Sequence, residues 1–287
     1  FDEDGNLIAD LEIWTPIGND PYIYEGIFDG QNHTISGLYF NNDTDYVGLF
    51  SFNSGTIKNV GIIDSYFKGN DYVGGVCGYN SGKIENSYNT ASVNSSNYVG
   101  GICGYNYNGT IEKSYNTGSV SGASNVGGVC GYVDRGKIIN SYNTGSVNGT
   151  GDVGGVCGFN EYGTIENSYN AGLVSVSSNR VGGVCGNNLG TIENNYNTGS
   201  VSGRSFVGGI CGVNDRKTAN SYNTGLISGL SIVGGICGEN NNTTENTYYL
   251  KNCNADGTTF DCNKGTEQTA EQFASGEVAY RLGGIWG

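Results

Sequence analysis

The chain has 287 residues, among them 51 glycines, 21 tyrosines, nine cysteines and only two prolines, and 13 basic against 27 acidic side chains leave a formal charge of −14. Neutralising phosphates takes clustered Lys and Arg, so this balance argues against a nucleic-acid partner and against an anionic membrane surface. No stretch approaches 18 consecutive apolar residues, so no membrane insertion is expected, and the opening residues Phe1 to Gly5 do not read as a signal peptide.

Residues 1–46 read as a leader and N-terminal cap, with short strands expected at Tyr22–Ile23–Tyr24 and Thr34 to Leu38. A degenerate phrase comes next, Val47-Gly48-Leu49-Phe50-Ser51-Phe52, in which Ser51 is expected to stand in the column of Cys77. From there Val-Gly-Gly-Val/Ile-Cys-Gly recurs seven times, placing Cys77, Cys103, Cys130, Cys157, Cys185, Cys211 and Cys237 at intervals of 26, 27, 27, 28, 26 and 26 residues. A fixed period in this range marks stacked repeats, each too small to bury its apolar face alone. The change in length is expected in one place, the segment of type 94–98.

Each copy holds three short apolar or β-branched clusters, 73–77, 84–88 and 92–94 in the first, separated by Gly, Asn and Ser. These clusters predict short strands bounded by turn residues, because no copy contains the long amphipathic run that a helical repeat needs. The expected fold is all-β: a parallel β-solenoid over residues 47–250, three strands per coil, about eight coils, right-handed. At about 4.8 Å per coil the rod core is roughly 38 Å long, and every sequence column becomes a ladder. Ile84, Ile111, Ile138, Ile165 and Ile192 form one candidate interior column, and Val93, Val120, Val147, Val174, Val201 and Ile227 another. Whether Gly74-Gly75 marks a bulge, and which parity faces inward there, the pattern leaves open.

The seven ladder cysteines carry no Cys-x-x-Cys or Cys/His spacing, so no metal is assigned to them, and a buried thiol stack is the simplest reading. Asn89, Asn116, Asn143, Asn170, Asn197 and Asn223 can bond along the axis, each preceded by a tyrosine, Tyr88 to Tyr222, able to stack. Tyr79, Tyr105, Tyr132 and Phe159 are the candidate ligand-binding strip, since their column ends in Asn187, Val213 and Glu239 and stacking does not require it. Glu85, Glu112, Glu166 and Glu193 share a column whose repulsion Lys83, Lys113, Lys137 and Lys217 offset. No cofactor is expected; calcium is the one cation that acidic turns could take, although the calcium-binding repeat phrase is missing.

Residues 251–287 read as a loop and cap. Cys253 and Cys262 lie outside the ladder and are placed for a local disulfide. Thr269-Ala270-Glu271-Gln272 has the capping-box form and predicts one short amphipathic helix over 269–282, with Phe273, Val278 and Leu282 on its apolar side. The start without Met and the apolar end Leu282 to Gly287 are read as cuts from a longer polypeptide.

The phrases Gly-Gly-Val-Cys-Gly, Gly-Thr-Ile-Glu-Asn-Ser-Tyr and Thr-Gly-Ser-Val resemble those of the bacterial GLUG-repeat family, and Trp14 to Gly18 with Tyr24 to Leu38 is similar to the leader that commonly precedes them. Cys inside the Gly-Gly phrase departs from the usual small aliphatic residue. The resemblance covers roughly 14–250 and implies a secreted or surface-anchored bacterial protein. Its repeats would be adhesin-like, binding a host or matrix protein or glycan, or else a stalk displaying flanking domains. Some members resemble regions attached to IgA-cleaving metalloproteases. A polysaccharide-active enzyme is the third reading, and the residues disfavour it. The acids recur with the repeat, His33 is the single histidine, and the breaks Val133-Asp134-Arg135, Asn179-Arg180, Arg204 and Asp215-Arg216-Lys217 lie far apart in sequence. No catalytic residue is assigned.

Overall fold

The computed structural model describes residues 13–177, 179–254 and 265–283. Parallel strands wind into three sheets. Eight strands form one sheet, from Phe50–Asn53 through the cysteine column to Cys237–Asn240; 17 form a second carrying the isoleucine column, and 13 a third carrying two valine columns. The parallel β-solenoid of about eight coils expected from the period is the fold. The core lies between the sheets: Ile84 to Ile192, Val93 to Ile227, Val73 to Val233, Val76 to Ile236 and the seven ladder cysteines are all at most 1% exposed. Each buried Val or Ile is worth roughly 1.5–3 kcal/mol against leaving it in water.

The coil is more finely divided than three strands. Cluster 73–77 is a corner: Val73 pairs in the valine sheet with Val47 and Val99, while Cys77 opens a strand of the next sheet. The paired glycines therefore mark a turn, not a bulge. A Cβ on Gly101 would lie 2.2 Å from Asn116 Cγ, so the corner packs directly on the buried amide column across the rod. Cluster 84–88 is likewise two strands, Lys83–Glu85 and Tyr88–Asn89, bent at Asn86, whose φ is +47°. Asn140, Asn167, Asn194 and Asn220 repeat that left-handed turn, which Asn tolerates better than other side chains except Gly.

Register corrects the degenerate first coil. Phe50, not Ser51, pairs with Cys77, while Val47 pairs with Val73, so this coil is one residue short inside its glycine phrase. The large Phe50 ring closes the cysteine column at its N-terminal end, where Tyr24 and Phe28 pack on it at 4.9 and 5.3 Å.

Coil length varies at two places, not one. In the coils of Cys103, Cys130 and Cys157, an extra residue sits in the turn that precedes Gly109, Gly136 and Gly163. It is Asn108, Arg135 or Tyr162, each with φ between +53° and +58°. These three turns make a ledge along one corner, and it stops at the Cys185 coil, whose turn is one residue shorter. The segment between Val174 and Val181 holds the other insertion.

At the N-terminal end the leader joins the solenoid: Ile27–Ser36 pairs in parallel with Thr56–Ile63, and Tyr22 and Tyr24 form isolated bridges. The C-terminal cap is two helices, α1 (Ala270–Ala274) and α2 (Glu277–Leu282), instead of one, because Gly276 at φ +79° breaks the run. The capping box at Thr269 and Gln272 forms as expected. Phe273, Val278 and Leu282 pack on Tyr222 and Tyr248 of the last coils, and the Phe273 ring ends the tyrosine stack 5.8 Å from Tyr222. No helix among the described residues is long and apolar enough to cross a membrane.

Candidate functional site

Most columns repeat because they hold the rod together. Asn89 Nδ2 donates to Asn116 Oδ1 at 2.9 Å, Asn116 to Asn143 at 2.9 Å, and so on to Asn223, and the amides also donate to carbonyls two residues on. Tyr88 to Tyr222 stack with centroids 4.6–5.2 Å apart and planes within 8°. Lys83 bridges Glu85 and Glu112 at 2.9 and 3.0 Å, Lys113 reaches Glu112 at 3.7 Å and Lys217 reaches Glu193 at 3.2 Å. Two further columns, given no role from the sequence, are ladders as well. Asn53, Asn80 and Asn106 bond amide to amide at 2.7 Å, as do Asn160, Asn188, Asn214 and Asn240 at 2.7–2.8 Å. Ser114, Ser141 and Ser168 hydroxyls accept from the amide N–H one coil before.

The ladder cysteines are core residues. Cys77, Cys103, Cys130, Cys157, Cys185, Cys211 and Cys237 form no disulfide and are wholly buried. The first six thiols each donate to the carbonyl two residues on, at 2.7–3.3 Å. Burial pushes the Cys103, Cys130, Cys157 and Cys211 thiols well above the ordinary range. Cys253, expected in a loop outside the ladder, is a buried free thiol in the main core, where its carbonyl accepts from Ile227 N–H at 2.7 Å. Its suggested partner Cys262 lies outside the described residues.

The face carrying Tyr79, Tyr105, Tyr132 and Phe159 is different. These rings are half-buried and stack at 5.3, 5.1 and 5.0 Å. Beside them Tyr46, Tyr72 and Tyr98, left-handed residues just before the valines, form a second stack at 4.7 Å, edge-to-face with the first: Tyr72 to Tyr105 at 5.7 Å and Tyr98 to Tyr132 at 5.6 Å. The ledge anchors the phenols, with Tyr105 Oη donating to Asp134 Oδ2 at 3.3 Å and Tyr132 Oη to Glu161. Burial, then these carboxylates, raise both phenol pKa values far above normal. Ring faces are spent on one another, so the strip turns edges, not stacking platforms, to solvent.

Beyond Phe159 the face opens. Asn187, Val213 and Glu239 replace the first stack, and the column of the second, ringless at Asn125 and Asp152, runs on as Arg180, Phe206 and Ile232, leaving a groove of ≈560 Å³ lined by Arg180, Asn187, Phe206, Asp215, Glu239 and Asn241. Asp152 lies under its wall, 7% exposed, with Oδ1 2.6 Å from Arg180 Nε. Burial raises the Asp152 pKa to about 6, and the Arg180 charge opposes that rise. The groove therefore offers one guanidinium, a buried carboxyl poised near neutrality, two outer carboxylates and amides: hydrogen-bonding chemistry for a polar ligand. The breaks at Asn179-Arg180 and Asp215, distant in sequence, meet here. No group of three or more His, Cys, Asp or Glu among the described residues could hold a metal ion.

Residues 69–94, 95–121 and 122–148 match the GLUG motif, so the chain carries GLUG repeats. Among solved structures it is similar to a chain titled a putative immunoglobulin A1 protease from Bacteroides ovatus, at 21% identity over 93% of this chain and 90% of that one, with a TM-score of 0.48. No curated protein matches it significantly.

Proposed function

We propose that this GLUG-repeat solenoid is an extracellular binding module, adhesin-like and non-catalytic, that engages a host or matrix glycan or protein through the face of the cysteine sheet. One observation carries the reading: on that face the columns stop repeating and leave the groove of Arg180, Asn187, Phe206, Asp215 and Glu239. Ladders elsewhere are accounted for by the bonds they make, whereas this break costs ring stacking and leaves polar side chains around a ligand-sized space. The tyrosine strip braces the rod beside the groove.

A stalk reading draws support from a specific feature too, since amide and ring ladders run almost the whole rod and stiffen it. The two are separated by screening the purified chain on glycan and matrix-protein arrays, with and without calcium. A ligand lost on Arg180→Ala and Asp215→Ala, yet kept on Tyr79→Phe, supports groove binding. Silence on every surface favours the stalk.

A further inference from the structure

Two of the breaks in the repeat, Arg135 and Arg216, stand 81 residues apart, yet both guanidinium groups reach one ring. Arg135 Cζ is 5.8 Å and Arg216 Cζ 5.9 Å from the centroid of Tyr162, which is 51% exposed. Turn length brings them together. Tyr162 is the last extra residue of the ledge, and the next turn, at Leu189-Gly190, is one residue shorter. That step leaves a depression of ≈230 Å³ lined by Tyr162, Leu189, Gly190, Thr191, Arg216 and Lys217. Arg216 spans it from two coils beyond, and Arg135 closes on the ring from the coil before.

The charges there are not all matched. Arg135 is held by Asp134 at 3.2 Å and Lys217 by Glu193 at 3.2 Å, but Arg216 makes no ion pair with a described residue. A guanidinium laid on an aromatic ring keeps its N–H edge free and fixed, the arrangement that suits a planar or tetrahedral oxyanion. In a chain of −14, Arg216 brings an unmatched positive charge to an exposed ring, with Arg135 on the same ring and Lys217 lining the depression. Leu189 adds an apolar floor.

We propose that this step is a subsite for the oxyanion of an acidic saccharide, either a ring carboxylate or a sulfate ester, with Arg216 as the principal ligand, Arg135 and Lys217 as supporting charge, and Tyr162 and Leu189 contacting the sugar ring. The site is distinct from the groove: Arg216 lies outside it, and Arg180 outside the step.

The test is calorimetric titration of the whole chain with oligogalacturonate, a heparin-derived sulfated hexasaccharide and neutral maltohexaose. The acidic sugars should bind, with affinity falling as salt rises, and maltohexaose should not. Arg216→Gln should weaken binding by about tenfold, the worth of one charge-assisted contact, and Arg135→Gln by less, both with an unchanged circular dichroism spectrum. Binding by only one of the two acidic sugars identifies the oxyanion and supports the site. Equal binding of maltohexaose, no binding of either acidic sugar, or acidic-sugar binding that falls with Arg180→Ala but ignores Arg216→Gln overturns it.

Discussion

Val133 pairs in register with Asn160 and interrupts the amide ladder there, so that Asn160 Oδ1 is buried without a hydrogen-bond donor. In the other coils of that column the preceding amide supplies the donor, as Asn80 does for Asn106 at 2.7 Å. Val133→Asn should therefore insert the missing rung, bonding Asn160 and accepting from Asn106. An orphaned acceptor costs about 1–3 kcal/mol, so the variant should raise the urea midpoint by a stabilisation of order 1 kcal/mol. A midpoint that stays or falls contradicts the ladder account.

Asp152 carries the opposite sign. Its folded pKa of about 6 lies above the ordinary 3.8, so folding favours the protonated acid. Its contribution is fully present below pH 4 and is lost as pH rises through 6. Asp152→Asn should accordingly match the parent at pH 4 and gain stability toward pH 7, by at most about 3 kcal/mol from a shift of this size. Denaturant melts at the two pH values measure the difference.

The Cys103 and Cys130 thiols predict alkaline weakness. Folded thiols keep protons that unfolded ones release above pH about 9, so the unfolded state binds fewer protons there and stability falls with rising pH. Ellman's reagent should label none of the seven ladder cysteines in the folded chain at pH 8, and all of them in guanidinium. Rapid labelling without denaturant would show the column to be accessible.

At the C-terminal end, Thr269→Ala removes the side chain that accepts from Gln272 N–H at 3.2 Å. A lost N-cap costs about 1 kcal/mol, and here it should loosen the helices from Tyr222. Hydrogen exchange should quicken near Tyr222 and Tyr248 while the coils of Cys103 to Cys157 keep their protection.

The ladders are legible because stacking copies a column directly: Ile84 to Ile192 and Asn89 to Asn223 recur in sequence and are buried in the rod. The amide ladder at Asn80 is not, because Val133 interrupts it and the rings beside its first members, Phe52, Tyr79, Tyr105 and Phe159, are the more conspicuous residues. Ser51 falls in the wrong column since a short period fits two registers, and only packing of Phe50 against Tyr24 and Phe28 decides between them. The rings missing at Asn187 and Val213 are legible as the end of their column, but the groove also needs Arg180 and Phe206 alongside, and sequence columns do not show which corner faces which. The step at Tyr162 does have a signal, the six residues from Cys157 to Gly163 against five from Cys185 to Gly190.

The most direct test of the binding account places one charge change on each side of the rod: Asp215→Lys at the groove, just past the cysteine-sheet strand, Glu166→Lys on the isoleucine sheet and Ser175→Lys on the valine sheet. Each purified variant is run beside the parent on the same glycan and matrix-protein arrays. The account predicts that Asp215→Lys alone abolishes or redirects the parent's binding. Loss through Glu166→Lys or Ser175→Lys with Asp215→Lys intact, or a parent that binds nothing, would contradict it.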